Sequence, residues 1–239
     1  MNPDGLTVSV ILPVLNEEAS LPEAIRSGRR AGAREVIVVD GGSTDGTLPA
    51  ARPLADAVLS SPAGRARQMN AGARAASGDI LLFLHADTLL PAGGIDAVRS
   101  AMRQDACPGG AFPVRLSTSP AASAYCRAVL ELTGRMINVR SRLLRAYTGD
   151  QGIFVRREIF ERMGGYPDVP LMEDVAFSRA LTRKGRTVLL PLRLTTSGRR
   201  WEARGPVRTI LLMWGLRLAH RLGLSPERCA DIYRRQPRG

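Results

Sequence analysis

The sequence lacks long hydrophobic runs, and it contains few aromatic residues. None of its apolar stretches approaches the roughly 20 residues that a membrane-spanning helix needs. Aromatic residues make up only 5% of the chain, which argues against the stacking platforms of single-strand nucleic-acid binders. We therefore expect no nucleic-acid partner. The first strand-like run is not preceded by a basic segment, so we also expect no signal peptide and a cytoplasmic location.

Cysteine and the common nucleotide-binding loops are equally scarce. Cys107, Cys126 and Cys229 are odd in number and far apart, which favours reduced thiols over a disulfide framework or a zinc site. No G-x-G-x-x-G follows the first strand, and no G-x-x-x-x-G-K-[ST] occurs anywhere in the chain. These absences exclude a typical dinucleotide-binding dehydrogenase and a P-loop nucleotidase.

Positive charge is abundant and unevenly placed. The formal net charge is +12, and Lys184 is the only lysine. Residues 180–239 hold thirteen Arg and one Lys against three acids, a local net charge of 14 − 3 = +11. A basic end of this kind suits phosphates, an anionic membrane face or nucleic acid. A solvated surface in an arginine-rich protein is the alternative.

The first third of the chain alternates between strand-like and helix-like segments. Short β-branched and apolar runs predict the strands, and amphipathic segments between them predict the helices. This spacing indicates βαβ units and an α/β fold, with a mostly parallel central sheet flanked by helices. The predicted strands are Leu6–Leu12, Glu35–Val39, Ala57–Leu59 and Ile80–Leu84, and the predicted helices are Asn16–Arg30 and Gly64–Ala76.

The rest of the chain is less regular, and no repeat or low-complexity linker divides it. We predict strands at Gly110–Leu116, Gly152–Val155 and Thr187–Leu192, and helices at Ala121–Leu144 (with a break near Gly134), Glu173–Lys184, Pro206–Gly223 and from Ser225 onward. The Pro206–Gly223 helix carries Arg208, Arg217 and Arg221 beside a broad apolar stripe. Core packing with an arginine rim is favoured over a bilayer-resting helix. We therefore expect weak peripheral membrane contact at most.

Polar residues that could carry chemistry follow the most apolar strand. Ile80–Leu84 reads as a strand buried on both faces, and His85 and Asp87 come directly after it. Ligands of open α/β sheets sit just outside the carboxyl ends of the strands. Residues i and i+2 at a strand end point the same way, so His85 and Asp87 are expected to face one site. A carboxylate together with phosphate oxygens suits Mg²⁺ or Mn²⁺, whereas a packed histidine is an equal reading of His85.

Other candidate residues lie at similar positions. Asp40 ends a buried strand before Gly41-Gly42, where it can bind a base or ribose or serve as a turn residue. Arg67 and Asn70 lie in the first turns of a predicted helix, which suits a diphosphate. Glu173-Asp174 begins another helix and can supply a general base or complement the helix dipole. Arg199-Arg200-Trp201 can bind phosphate or a sugar face, or form a surface cation–π cluster.

Taken together, these stretches resemble a family 2 glycosyltransferase of the GT-A type over nearly the whole chain. Five segments carry the resemblance: SVILPVLNEE from Ser9, the VVDGGSTDGT segment from Val38, the N-x-G-x-x-x-A-x-G pattern from Asn70, FLHAD from Phe83 in place of a D-x-D motif, and Glu173-Asp174 in place of an E-D motif. The second half (GDQGIF, GGYP, LMEDVAFSRAL, GRRWEARGPVRT) is similar to a bacterial subgroup described as radical-SAM/selenodomain-associated.

The resemblance implies an inverting sugar transfer from a nucleotide-diphosphate donor to an acceptor hydroxyl. It implies a single GT-A domain, with a donor half (1–90), an acceptor half (91–205) and C-terminal helices (206–239). The implied roles are nucleotide binding for Pro13, Glu17, Asp40, Arg67 and Asn70; a divalent metal (Mn²⁺ or Mg²⁺) at Asp87 and His85; the base at Asp174; and acceptor contacts for Asp150, Gln151, Glu173, Arg200 and Trp201.

His85 departs from the family pattern, because the first acid of the D-x-D motif is absent. Histidine is a poor Mg²⁺ ligand and a fair Mn²⁺ ligand, so the identity of the metal stays open. The acceptor is unknown, and a lipid-linked acceptor at the inner membrane face is one expectation. Two alternatives remain: a sugar-phosphate nucleotidyltransferase, in which a basic Gly-rich signature would replace Asn16-Glu17-Glu18, and a basic membrane- or nucleic-acid-binding module.

Overall fold

The computed structural model describes residues 5–103 and 106–234. Ten strands and ten α-helices form the regular structure of these residues. The strands are β1 (Val8–Val14), β2 (Glu35–Asp40), β3 (Ala57–Ser60), β4 (Ile80–Phe83), β5 (Thr88–Leu89), β6 (Gly109–Ala111), β7 (Val114–Ser117), β8 (Ile153–Arg156), β9 (Val188–Leu189) and β10 (Leu194–Ser197). The helices are α1 (Leu21–Arg30), α2 (Thr47–Ala51), α3 (Arg65–Ala75), α4 (Gly94–Met102), α5 (Ala124–Leu144), α6 (Arg157–Arg162), α7 (Glu173–Thr182), α8 (Arg199–Arg204), α9 (Pro206–Arg221) and α10 (Pro226–Arg234).

Seven strands form the main sheet in the order β3-β2-β1-β4-β8-β6-β9. The neighbours β3, β2, β1 and β4 are parallel, as the βαβ spacing predicts, and β8 runs antiparallel to both β4 and β6. The strands β5, β10 and β7 form a second, smaller sheet. The predicted mostly parallel central sheet is therefore confirmed, whereas the second sheet was not foreseen.

Both faces of the main sheet are covered by apolar side chains. Alternate residues of β1 contribute to opposite faces: Val10 and Leu12 pack with α1 and α4, and Ile11 packs with α3 and α7. All four residues of β4 are buried, which confirms that this strand is covered on both faces. Close packing needs Gly72 in α3, because a Cβ at this position would lie 2.5 Å from Cγ2 of Ile11.

Several predicted boundaries were wrong. Strand β1 continues through Pro13 to Val14. The pairing of β1 with β4 ends where Ile11 O accepts the Leu84 N–H. The Pro13 nitrogen lies two residues further on, past the paired end of β4, so proline removes no hydrogen bond between these strands. The first helix begins at Leu21 instead of Asn16. Residues 110–116 form β6 and β7, which belong to different sheets.

Helix α5 is also different from the prediction, because it runs unbroken through Gly134. Gly134 lies on the buried face of α5, where the helix approaches the β7 backbone. The elements α2, α4, α8, β5 and β10 were not predicted, and β9 is two residues long instead of the predicted 187–192. All of these elements except α4 are six residues long or shorter, so they carry little hydrophobic period. Helix α4 is nine residues long and buries Ile95, Val98 and Met102, so its amphipathic period was present in the sequence and was overlooked.

Candidate active site

A crevice opens at the carboxyl ends of β1 and β4. It lies between these strand ends, α3 and the start of α7, at the edge of the sheet where α/β proteins bind ligands. It brings together predicted residues from both halves of the chain. Its lining consists of Pro13, Met69, Phe83, Leu84, His85, Gly149, Ile153, Tyr166, Glu173 and Asp174.

Asp87 has few partners for a carboxylate that is partly buried. The hydrogen bond from Thr88 Oγ1 is long, at 3.5 Å, and no ion pair to this carboxylate occurs among the described residues. Burial raises the pKa of Asp87; the charge of Arg200 opposes the rise, and the charge of Glu17 adds to it. A carboxylate that lacks strong internal partners in a site next to cations can receive a metal ion or the groups around a diphosphate.

His85 is the second predicted metal ligand. Its pKa lies well below the ordinary value, chiefly because of burial and further because of the charges of Arg65 and Arg200. The imidazole is therefore neutral and offers a lone pair. The strand argument for its direction was wrong, because β4 ends at Phe83 and residues 85–88 form a turn closed by a 3.1 Å bond from Thr88 N to His85 O. Within residues 5–103 and 106–234, no three His, Cys, Asp or Glu side chains converge as a metal cluster.

Asp174 faces the crevice from the first turn of α7. Its Oδ2 accepts a 2.7 Å hydrogen bond from the Gly149 amide. A Cβ at Gly149 would lie 2.7 Å from His85 Nε2 and 3.5 Å from Asp174 Oδ2. The absence of a side chain at Gly149 therefore lets the predicted base and the predicted metal-side histidine approach the same turn.

Glu173, the neighbour of Asp174, is only 4% exposed. Burial raises the pKa of Glu173; the charge of Asp174 raises it further, and that of Arg65 opposes the rise. Arg65 Nη1 lies 3.9 Å from Glu173 Oε1. The Arg65 guanidinium thus connects α3 to α7 and carries positive charge toward His85 and Asp87.

Glu17 joins the β1–α1 loop to α8. Its side chain is 12% exposed and forms ion pairs with Arg199 and, at 3.9 Å, with Arg200. Both arginines also stabilise the ionised form of nearby Asp87. Glu17, predicted to bind the nucleotide, and Arg200, predicted to contact the acceptor, therefore both lie near Asp87, the predicted metal ligand.

Asp40 shapes the loop after β2. Its carboxylate is 2% exposed and accepts hydrogen bonds from the amides of Gly42 at 2.9 Å and Ser43 at 3.0 Å. Asn16 adopts a positive φ of 56° and accepts a 2.8 Å bond from the Thr44 amide. The two loops that follow β1 and β2 thus fix each other at the edge of the sheet.

Two predicted nucleotide-binding side chains have protein partners in this structure. Arg67 Nε lies 2.9 and 3.0 Å from the two carboxylate oxygens of Asp168, and both side chains are about half exposed. The Asn70 amide donates to Tyr166 O at 2.8 Å and accepts from Tyr166 N at 2.9 Å. The side-chain amide of Asn70 is thus engaged by the Tyr166 backbone and holds the 165–168 segment against α3.

The predicted acceptor residues separate into two groups. Asp150 lies on the 3₁₀ turn Gly149–Gln151 beside Asp174, and Arg200 faces Glu17. Gln151 is 0% exposed; its Oε1 accepts from Ser141 Oγ at 2.9 Å and its Nε2 donates to Phe112 O at 3.2 Å. Trp201 packs against the cluster of Leu116, Cys126 and Leu130. Gln151 therefore holds the turn and Trp201 packs α8 against this cluster, while their acceptor contacts stay a prediction.

Sequence reasoning missed two residues near Asp174. Gly149 lies close to both His85 and Asp174, and Arg140 lies beside Thr148 and Gln151. Gly149 belongs to the GDQGIF stretch, whose charged and glycine residues are the signal that could have identified it. Arg140 is one arginine among several on α5, and nothing in the sequence separates it from its exposed neighbours.

A family model, Glycosyl transferase family 2, matches residues 9–164 of the chain. An uncharacterized glycosyltransferase of Mycobacterium tuberculosis (strain ATCC 25618 / H37Rv) is 41% identical over 92 residues, which cover 38% of this chain and 41% of that protein. The undecaprenyl-phosphate 4-deoxy-4-formamido-L-arabinose transferase of Pseudomonas aeruginosa (strain LESB58) is 32% identical over 182 residues, covering 65% of this chain and 49% of that protein. The chain thus spans less than half the length of either relative.

Solved structures share the fold. The mannosyltransferase PcManGT from Pyrobaculum calidifontis, in complex with GDP-Man and Mn²⁺, has a TM-score of 0.65 at 23% identity over 95% of this chain and 68% of that chain. Glucosyl-3-phosphoglycerate synthase from Mycobacterium tuberculosis, in complex with Mn²⁺, UDP and phosphoglyceric acid, has a TM-score of 0.62 at 21% identity over 92% and 80% of the two chains. These matches leave the resemblance to the radical-SAM-associated subgroup a prediction. Because the family model covers more than half of the sequence, the chain belongs to glycosyl transferase family 2, and it has the GT-A fold.

Proposed function

We propose that this chain transfers a sugar, with inversion, from a nucleotide-diphosphate donor to an acceptor hydroxyl. The observation that carries the proposal is a weakly partnered carboxylate, Asp87, beside a crevice that Asp174 faces. One acid lies where a cation and diphosphate would bind, and the other lies where an acceptor would lose its proton. Residues 1–90 would form the donor half, residues 91–205 the acceptor half, and 206–239 a C-terminal extension.

The donor would lie along the carboxyl ends of β1, β2 and β4. The Asp40 loop, Pro13 and the Glu17 loop would form the nucleoside side, while Arg199 and Arg200 would face the diphosphate. Glu17 pairs with both arginines, so diphosphate binding would exchange a carboxylate partner for a phosphate partner. Arginine suits this exchange because its guanidinium binds either group in a bidentate manner. Arg67 would reach the donor only after leaving Asp168.

A divalent metal fits the donor set at Asp87, because a carboxylate and phosphate oxygens are the ligands that Mg²⁺ and Mn²⁺ prefer. Neutral His85 would be a further ligand or a hydrogen-bond partner of the phosphate, and a histidine ligand favours Mn²⁺ over Mg²⁺. When bound, the metal would offset the negative charge of the leaving diphosphate. Structural relatives bind Mn²⁺ together with GDP-Man or UDP.

Asp174 would act as the general base. The acceptor hydroxyl gives its proton to the Asp174 carboxylate while its oxygen attacks the anomeric carbon. The bond from this carbon to the diphosphate oxygen breaks on the opposite face, which inverts the configuration. The hydrogen bond from Gly149 N–H fixes the carboxylate in the crevice. Glu173 is held by burial and Arg65, so it would position α7 and not take the proton.

The protein would contact a membrane only peripherally, at the cytoplasmic face. Within residues 5–103 and 106–234, no helix has both the length and the hydropathy to cross a bilayer. Apart from Leu15, every exposed large hydrophobic side chain in the described ranges lies on α5, α9 or α10 or directly after α9. On α9 these residues, Val207, Leu211, Trp214 and Leu218, share one helical face.

The apolar face of α9 formed by Val207, Leu211, Trp214 and Leu218 belongs to a helix that also carries arginine. Helix α5, which has exposed apolar residues of its own, contacts α9. Exposed apolar residues beside cations suit an anionic lipid surface, and membrane contact would bring the crevice near a lipid-linked acceptor. The transferase from Pseudomonas aeruginosa named above acts, by its name, on undecaprenyl-phosphate. Family membership favours this enzyme over both the nucleotidyltransferase and the non-enzymatic binding module.

A donor-hydrolysis screen tests the proposed reaction. UDP- and GDP-linked sugars would be incubated with the protein and Mn²⁺, and release of the nucleoside diphosphate would be measured without added acceptor. We expect slow, metal-dependent release from one donor class, because water can replace the acceptor hydroxyl. Release that is equal with Asp87→Asn protein, or absent for every nucleotide sugar with or without added acceptors, would contradict the proposal.

A further inference from the structure

Two arginines on the contacting helices α5 and α9 each have a buried guanidinium nitrogen without a hydrogen-bond partner in the described part of the chain. The Nε atoms of Arg140 on α5 and Arg217 on α9 are buried, and neither has a hydrogen-bond partner among the described residues. Arg140 Nη2 has four long contacts, at 3.5 Å to Ser141 Oγ and at 3.4 Å to Ala146 O, Thr148 Oγ1 and Gln151 Oε1, all beyond the usual hydrogen-bond range. Ion pairs to either guanidinium are likewise absent from residues 5–103 and 106–234.

The placement of like charges together is costly for the ligand-free protein. Burial lowers the pKa of Arg140, the charge of Arg217 lowers it further, and Asp150 and Asp174 only partly oppose this. Buried donors without acceptors and unpaired buried charges are rare in proteins, because each loses its hydration without compensation. An anion between the two guanidinium groups would satisfy the free donors and cancel the repulsion.

Arg140 borders the turn that holds the predicted catalytic base. Arg140 approaches Thr148 and Gln151, and the intervening Gly149 donates its amide hydrogen to Asp174. The guanidinium and the Asp174 carboxylate thus flank one short turn. An anionic group bound by the arginines would hold an adjoining hydroxyl close to Asp174.

We propose that Arg140 and Arg217 bind a phosphate group of the acceptor while Asp174 faces the acceptor's hydroxyl. Phosphate is favoured over carboxylate because its oxygens can accept hydrogen bonds from two guanidinium groups at once. The inference rests on the proposed function, which supplies the role of Asp174, and it adds the chemical class of the acceptor. The phosphate could belong to a soluble compound or to a lipid, since α5 and α9 also carry the exposed apolar faces.

Calorimetric titration without metal would test the pair. The probes are glycerol 3-phosphate, farnesyl phosphate and, as an uncharged match, farnesol. The variants are Arg140→Gln and Arg217→Gln, and the control is Arg142→Gln, which removes one charge from an exposed position of α5. Because no hydrogen bond to the Arg217 side chain is present in the described part of the chain, Arg217→Gln should fold even if Arg140→Gln is unstable.

We expect at least one phosphate to bind, with affinity about tenfold weaker in the Arg140 and Arg217 variants and nearly unchanged in the control. Equal binding by glycerol 3-phosphate and farnesyl phosphate would identify a soluble acceptor. Tighter binding of farnesyl phosphate, without binding of farnesol, would identify a lipid acceptor. Equal losses in all three variants, or no binding by the unaltered protein, would overturn the inference.

A parallel titration with UDP and GDP in the presence of Mn²⁺ separates the two proposals. Nucleotide binding without arginine-dependent phosphate binding would reject the acceptor site alone. Arginine-dependent phosphate binding without nucleotide binding would reject the donor function and leave the phosphate site in place.

Discussion

Asp174 and Asp87 are carboxylates with different surroundings, and this difference assigns their proposed roles. Asp174 is oriented by the amide of Gly149, whereas the hydrogen bond that the Asp87 side chain receives within residues 5–103 and 106–234 is the long one from Thr88. A general base needs a fixed direction toward the proton that it accepts. A residue that receives a cation needs free oxygen lone pairs instead.

The Asp174→Asn variant should retain donor binding and lose transfer. The amide keeps the size of the carboxylate but cannot accept a proton as a base, so we expect a fall in kcat of about 10²–10⁴-fold. Initial rates with the best donor and acceptor, together with calorimetric donor affinity, would measure the two effects. The exposed Asp96→Asn variant serves as the control. Unchanged transfer by Asp174→Asn would remove Asp174 from its role.

Replacement of Asp87 should stabilise the metal-free protein. Because burial raises the pKa of Asp87, its ionised form is less favourable in the folded chain than in the unfolded chain. This cost is absent below the ordinary pKa of aspartate and fully present above the raised value. Asp87→Asn should therefore raise the Tm near pH 7, and the gain should shrink as the pH falls through that window. A lower Tm near pH 7, measured by calorimetry, would contradict this account.

Some individual site residues could be predicted because they directly follow a buried strand. Asp40 and Asp87 follow buried apolar runs, so their place at the sheet edge could be inferred from sequence. The buried role of Gln151 could not be inferred, because its side chain hydrogen-bonds to Ser141 on α5 and to Phe112 between β6 and β7. The direction of the His85 side chain depends on where β4 ends. The strand was predicted to end at Leu84 and ends at Phe83, and this difference of one residue changes that direction.

At the scale of elements, α5 and α9 have more apolar exposure than core packing explains. Leu211 is 63% exposed and Leu218 is 59% exposed on α9, and Leu143 is 75% exposed on α5. Sequence periodicity found the apolar stripe of α9 but favoured its burial, because periodicity does not say which face meets the core. The stripe instead remains open in the described chain.

Negative charge introduced on the apolar face of α9 should weaken membrane contact. In flotation with vesicles containing phosphatidylglycerol, the unaltered protein should rise with the lipid at low salt and less so at high salt. The Leu211→Glu/Leu218→Glu variant should stay with the soluble fraction, because it loses apolar contact and adds negative charge. Leu15→Glu is the matched control, since Leu15 is exposed away from these helices. Equal flotation of all three proteins, or none by the unaltered protein, would rule out this surface.

On the scale of the whole molecule, the sheet explains why distant parts of the sequence meet. The parallel order β3-β2-β1-β4 gathers the loops after β1, β2 and β4 at one edge, and this could be predicted from the βαβ pattern. The antiparallel strand β8 and the second sheet bring the 148–151 turn and α8 to the same edge. Their short strands carry little periodic signal, so this half of the site needed the structure.

The most direct test of the account is a calorimetric titration of the protein with UDP and GDP, with and without Mn²⁺. Since Asp87 would bind a metal beside the diphosphate, we expect one nucleotide to bind at least about tenfold more tightly with Mn²⁺, and we expect Asp87→Asn to abolish this gain. Failure of both nucleotides to bind, or a gain from Mn²⁺ that survives in Asp87→Asn, would contradict the account.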